Sequence, residues 1–236
     1  MFASAFAQRV AALCTLSVDL ARLPVAHLHF RSRLSPEHIR NVYSYFTKPH
    51  PKYKIFKNKS LGAALIDLSA FETGEDFIES QRTWGRAGAE RRRALGRGHL
   101  LCTINRNDLV EEIHQINVSS PVRQGVPMAA AYLEKQLHYE DLPHFRYYGV
   151  FDPEKRLVAY CNLGLLGNFA VIDRLLGLRT TSGAMYLLLA EIVCKLIDEK
   201  KLDYLMYDTL FGARPGLRDF KRKFGFQPYR VRYTIE

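Results

Sequence analysis

The sequence predicts a mixed α/β (α+β) fold with a central, mostly antiparallel sheet and helices on both faces. Two observations predict it. From residue 98 the elements run strand, two helices, three strands, helix, strand, helix, strand. Short turns join the three middle strands into antiparallel neighbours, and the strand–helix alternation after them requires helices against the sheet faces. The second observation is the helix after the trio. Met185, Leu188, Leu189, Ile192, Val193, Leu196 and Ile197 repeat at gaps of 3 and 1, one stripe of a 3.6-residue helix.

Residues 1–55 read as an N-terminal helical extension, and 56–236 as the main domain with its core in 98–236. Ala5–Leu20 has helical character. Ser35 stands as N-cap before Pro36 at the first helical position. Lys48-Pro-His-Pro-Lys52 breaks regular structure. Leu61–Leu68 has strand character, and Glu75–Arg97 is helical and dense in arginine. His99–Ile104 is a short apolar strand. Asn107 and Asp108 offer capping oxygens to a helix through Leu109, Ile113 and Ile116, and a second helix covers Met128–His138. The three strands are Phe145–Phe151, Arg156–Leu163 and Asn168–Leu175. Asp152-Pro-Glu-Lys155 supplies the first turn, and Gly164 and Gly167 bracket the second. Gly183–Lys200 is the striped helix and Asp203–Asp208 a strand. Pro215 opens the last helix, Gly225 stops it, and Gln227–Ile235 closes as a strand.

The 236 residues carry a formal net charge of +10, which favours polyanionic partners such as nucleic acid or a phosphorylated cofactor. Cys14, Cys102, Cys161 and Cys194 show no metal-ligand spacing, so no metal site is expected, and most lie in apolar runs as free thiols do in a reducing compartment. No uncharged run is long enough to span a membrane. The expected location is the cytoplasm.

The chemistry concentrates at Leu176-Gly-Leu-Arg179-Thr180-Thr-Ser182-Gly183-Ala184, between a strand and the start of the striped helix. Small residues admit a ligand close to the backbone. First-turn N–H groups and the helix dipole favour an anion such as a pyrophosphate, and Arg179 adds a fixed charge. The same residues also read as a simple N-cap at Ser182. Arg82, Arg86, Arg91, Arg92, Arg93 and Arg97 read either as a grip on a phosphate backbone or as a solvated helix face.

This element order and loop resemble the GNAT acyltransferase superfamily. The family's loop reads Gln/Arg-x-x-Gly-x-Gly/Ala; Arg179 and Ala184 fit it, while Ser182 stands where glycine is usual. Gly216-Leu-Arg-Asp-Phe220-Lys-Arg-Lys-Phe224-Gly225-Phe226 resembles the superfamily's closing helix and strand, with Lys221 where acetyl-transferring members often carry a tyrosine. Phe220-Lys221 before Phe-Gly, together with Glu90–Arg97, also resembles the Fem-type aminoacyl transferases of cell-wall synthesis. The resemblance implies an N-acyltransferase that takes an acyl group from acyl-coenzyme A to a small-molecule amine or amino-acid acceptor. The alternatives are a Fem-like transferase using aminoacyl-tRNA, or a catalytically silent module of the same fold. It implies that Arg179, Thr180, Ser182, Gly183 and Ala184 hold the carrier. Asp173, Asp208 and Lys221 are the candidate proton-transfer groups. Asn117, Arg123 and Gln124, around the loop between the first two helices, border the acceptor.

Overall fold

The structure, a computed structural model, describes residues 22–52, 54–84, 87–123, 126–181 and 183–236. In chain order its elements are β1 (Val25–Phe30), α1 (Pro36–Thr47), β2 (Leu61–Asp67), α2 (Gly74–Trp84), α3 (Ala87–Gly96), β3 (Leu100–Thr103) and α4 (Val110–Val118). A small ladder of β4 (Val122–Arg123) and β5 (Val126–Pro127) comes next, then α5 (Ala130–Leu133). The chain continues through β6 (Phe145–Phe151), β7 (Leu157–Leu165), β8 (Phe169–Gly177), α6 (Ala184–Glu199), β9 (Tyr204–Thr209), α7 (Pro215–Lys223) and β10 (Gln227–Ile235). Eight strands form one sheet in the order β1-β10-β2-β9-β8-β7-β6-β3. Its ladders are antiparallel except β1–β10 and β8–β9, which run parallel.

Strand parity sorts the core. In β2, Ala64 and Ile66 pack with α2, α3 and α6, whereas Ala63 and Leu65 pack with Ile39 and Phe46 of α1. In β6, Tyr148 and Val150 join the α6 face, while Tyr147 turns to Ile113 and Ile116 of α4. Helix α6 buries more than its predicted stripe: Ala184, Leu187, Ala190 and Cys194 are covered too. The sheet takes one side of it, and α2 and α3 take another.

Several expectations are corrected. The first 55 residues are not simply helical, because β1 is an edge strand of the main sheet. Its Ala26, Leu28 and Phe30 are buried and alternate with exposed Val25, His27 and His29, a period-2 pattern. The predicted helix Ala5–Leu20 lies outside the described residues. Asn107 and Asp108 do not cap a helix. Asn105 accepts from the Asn107 N–H, and the Asn107 amide instead clamps the backbone of Tyr139, accepting from its N–H at 2.8 Å and donating to its carbonyl at 3.0 Å. That clamp holds Tyr139 in extended chain, and the predicted helix Met128–His138 shrinks to α5. Leu137, on which a longer helix would rely, is 81% exposed and has no core to face. Gly164 lies inside β7, paired with Phe145, rather than at the turn.

Candidate functional site

Strands β8 and β9 share three pairs, Phe169 with Tyr204, Ala170 with Leu205 and Val171 with Met206. Both continue past this point, β8 to Gly177 and β9 to Thr209, but they no longer pair. The sheet therefore opens as a V at its centre, and one backbone edge of 172–177 has no ladder partner on the β9 side.

Both strands bulge where they part. Asn162 pairs with Arg174 and Leu163 with Ile172, so Asp173 has no mate on β7. Leu65 pairs with Met206 and Ala63 with Thr209, so Tyr207 and Asp208 together oppose Ala64. Asp208 takes a left-handed φ of 51°, rare for a residue with a Cβ. Bulges of this kind re-aim side chains and cluster near active sites.

Lys221 of α7 comes up beneath this region. It is fully buried, not at a solvated edge. Its Nζ donates to the Thr209 carbonyl at 2.9 Å and lies 4.5 Å from the centre of the Tyr207 ring. Burial lowers the ammonium to about 8, with Lys59 adding to the effect and Asp208 opposing it. Asp208 is ion-paired with Lys59 at 2.5 Å. The sequence candidates Asp208 and Lys221 thus sit together on one limb of the V, and Asp173 on the other. Tyr207 escaped the sequence reading. Burial raises its phenol, and Cys161, Asp208 and Tyr132 push in the same direction, so it keeps its proton at neutral pH. A tyrosine adjoining Asp208 in an apolar strand was the available signal.

The loop from β8 leads into α6 through Gly183, the N-cap, with a φ of 87°. Helix α3 stands against it. A Cβ built on Gly183 would meet the Glu90 carbonyl at 3.2 Å, Ala94 at 3.4 Å and the Glu90 carboxylate at 3.6 Å. A carboxylate of the protein's own therefore occupies the neighbourhood of the dipole's positive end. Ala184 is buried and Thr180 exposed. Arg179 donates to the Val122 carbonyl at 2.9 Å and ties the loop to the small ladder. Ser182 and Gln124 lie outside the described residues. Asn117 is buried on α4 and accepts from the Tyr160 hydroxyl at 2.7 Å, a contact that fixes α4 to β7. Arg123 contributes its backbone to β4. On the α4 face, a cavity of about 380 Å³ lies beside Asp173 and is also lined by Arg106, Asn162 and Arg174.

No family model matches the chain, and no curated protein matches it. Solved structures do resemble it. FemX aligns with a TM-score of 0.54 at 9% identity, covering 71% of this chain and 59% of that one. L-PGS from Bacillus licheniformis aligns at 0.46 and 15%, over 70% and 57%. A GCN5-related N-acetyltransferase from Kribbella flavida aligns at 0.37 and 10%, over 56% and 47%. The chain spans less than two thirds of each of these. The likeness is one of fold: the chain has the GNAT-like fold, with resemblance to its Fem branch. Among the described residues no helix is long and apolar enough to cross a membrane.

Proposed function

We propose that the protein transfers an acyl group from an activated carrier, of the acyl-coenzyme A type, to an amine acceptor. The observation that carries this reading is the V between β8 and β9, with bulges on both limbs and the Lys221 ammonium held behind one of them. Acyl transfer needs donors for the developing oxyanion, a proton for the leaving group and a base for the amine. The unladdered edge of 172–177 supports the first role. Lys221, mostly protonated at neutral pH because it titrates near 8, supports the second, with Tyr207 beside it. Asp173 supports the third, since Asp208 already neutralises Lys59. Arg179 and Thr180 lie at the loop where the carrier's phosphates would enter.

A second donor, aminoacyl-tRNA, is favoured by one specific feature. The Glu90 carboxylate beside Gly183, paired with Arg93 at 2.8 Å, crowds the place a pyrophosphate would take, whereas the net charge of +10 attracts a long polyanion. The test is amide formation, followed by mass spectrometry, with acetyl-coenzyme A or charged tRNA as donor over a panel of amines. Product from neither donor would reject the transferase reading. If tRNA is the donor, its affinity should fall steeply with salt, and Arg92→Gln should flatten the slope. Arg91 and Arg93 are left intact in that test because Arg91 bridges Glu75 and Glu191 and Arg93 pairs with Glu90.

A further inference from the structure

We propose that the cavity on the α4 face binds the acceptor, and that the acceptor is a free amino acid held by both of its charges. This rests on the transferase reading above. The cavity measures about 380 Å³, ample for an amino acid, and is lined by Arg106, Arg174, Asn162, Tyr139, Glu140 and Asp173 among others.

Its polar groups are built in rather than draped over the surface. Arg106 is only 8% exposed. Its guanidinium stacks on Tyr147 at 3.8 Å and on Tyr139 at 5.0 Å, and it donates to the Glu140 carbonyl. Asp141, at 3.8 Å, is its outer partner. Arg174 lies over Tyr132 at 4.4 Å. Both guanidiniums line the same cavity as Tyr139.

Among the described residues, three buried atoms of the lining have no hydrogen-bond partner: Nε of Arg106, Nε of Arg174 and Oδ1 of Asn162, whose residue is 5% exposed. Buried polar groups are normally satisfied, and an orphan is costly unless a ligand completes it. Two guanidinium donors suit a carboxylate.

The charge balance narrows the ligand further. Asp173 and Glu140 face the same space as the two arginines, so a bare dianion such as phosphate meets repulsion. A ligand carrying one charge of each sign meets partners for both. Asp173 sits on the bulge where the two limbs of the V part, so an ammonium beside it lies next to the donor carbonyl's place. The step balances: the ammonium releases one proton through Asp173, and its nitrogen bonds to the carbonyl carbon. The carrier's C–S or C–O bond then breaks, the departing atom leaves with the electron pair and takes a proton from Lys221, and the nitrogen's second proton makes good that loss.

Calorimetry on the intact protein tests the proposal, with each proteinogenic amino acid in turn and, for any that binds, its decarboxylated amine. We expect at least one amino acid to bind, its decarboxylated amine to bind at least tenfold more weakly, and Arg174→Gln to lose at least tenfold. Arg106→Gln removes a buried stacked group, so it is read beside its own melting curve; Arg174 provides the independent variant. Equal affinity for the amine, or unchanged affinity in Arg174→Gln, overturns the proposal. So does the absence of amino-acid binding in a protein that acylates some other amine, which leaves the transferase reading standing. Amino-acid binding without transfer from either donor has the opposite meaning, since the pocket holds and the transferase reading fails.

Discussion

Lys221 is the residue on which structure and chemistry bear most directly. A buried ammonium is costly, and here it has one carbonyl, one aromatic face and the nearby Asp208 as compensation. The sign of its linkage follows. Its folded value, about 8, lies below the ordinary 10.5, so the unfolded chain binds more protons between these values. Stability attributable to Lys221 rises with pH through that window, and its cost is complete below it. Lys221→Met keeps the volume and removes the charge. We expect the melting temperature at pH 7 to hold or rise while turnover drops by about 10²-fold or more, the range for a positioned proton donor. Wild-type turnover in that variant would exclude Lys221 from the chemistry. The sequence placed Lys221 on the closing helix but not its depth. Helical spacing reports a side chain's angle about its own axis, and the covering groups, Thr209 and Tyr207, belong to a bulged strand whose irregularity leaves no periodic trace.

Elements with a full apolar period were legible. The striped helix and the strands β6, β7, β8, β9 and β10 were found within a few residues, because each buries a regular face. Elements defined by partners elsewhere were not. Strand β1 is short, two of the three residues on its outer face are histidine, and it needs β10 to exist. The clamp of Asn107 on Tyr139 joins residues far apart in sequence and cancels a helix that local pattern favoured. The cavity arginines were invisible for the same reason, since Arg106 and Arg174 meet only after folding. At this scale Gly183 is a structural requirement as well as a loop residue. Its φ of 87° disfavours any Cβ, and the Glu90 carbonyl leaves only 3.2 Å. Gly183→Ala should therefore cost about 1–2 kcal/mol, read by urea unfolding. A neutral result would mean that the α6 start relaxes freely. Carrier affinity measured in a Gly183 variant would mix strain with contact, and Thr180, exposed on the same loop, is the cleaner probe of the carrier.

At the scale of the whole molecule, the N-terminal segment joins the core through the β1–β10 ladder, a buried apolar face and a few polar points, one of which is titratable. Asn168 accepts from the His29 N–H at 2.7 Å and donates to the His27 carbonyl at 3.1 Å, which fixes β1 beside the β7–β8 turn. His38 of α1 meets His144, just before β6, with 2.9 Å between Nδ1 and Nε2. Such a pair can share one proton but resists two charges. Burial, with repulsion from His38, lowers His144 to about 4 from the ordinary 6.5, and its Nδ1 is buried without a partner. Between those values the unfolded chain takes up a proton that the folded chain refuses, so stability must fall as pH drops from about 6.5 to 4 and level off below. The loss should begin where α1 joins the core, since that contact is the one strained by charge. Melting temperatures of wild type and His144→Gln across this range provide the measurement. The variant, with no titrating ring at 144, should show a shallower decline. Parallel curves for the two proteins would show that the acid sensitivity lies elsewhere and that the histidine pair does not gate the attachment of α1.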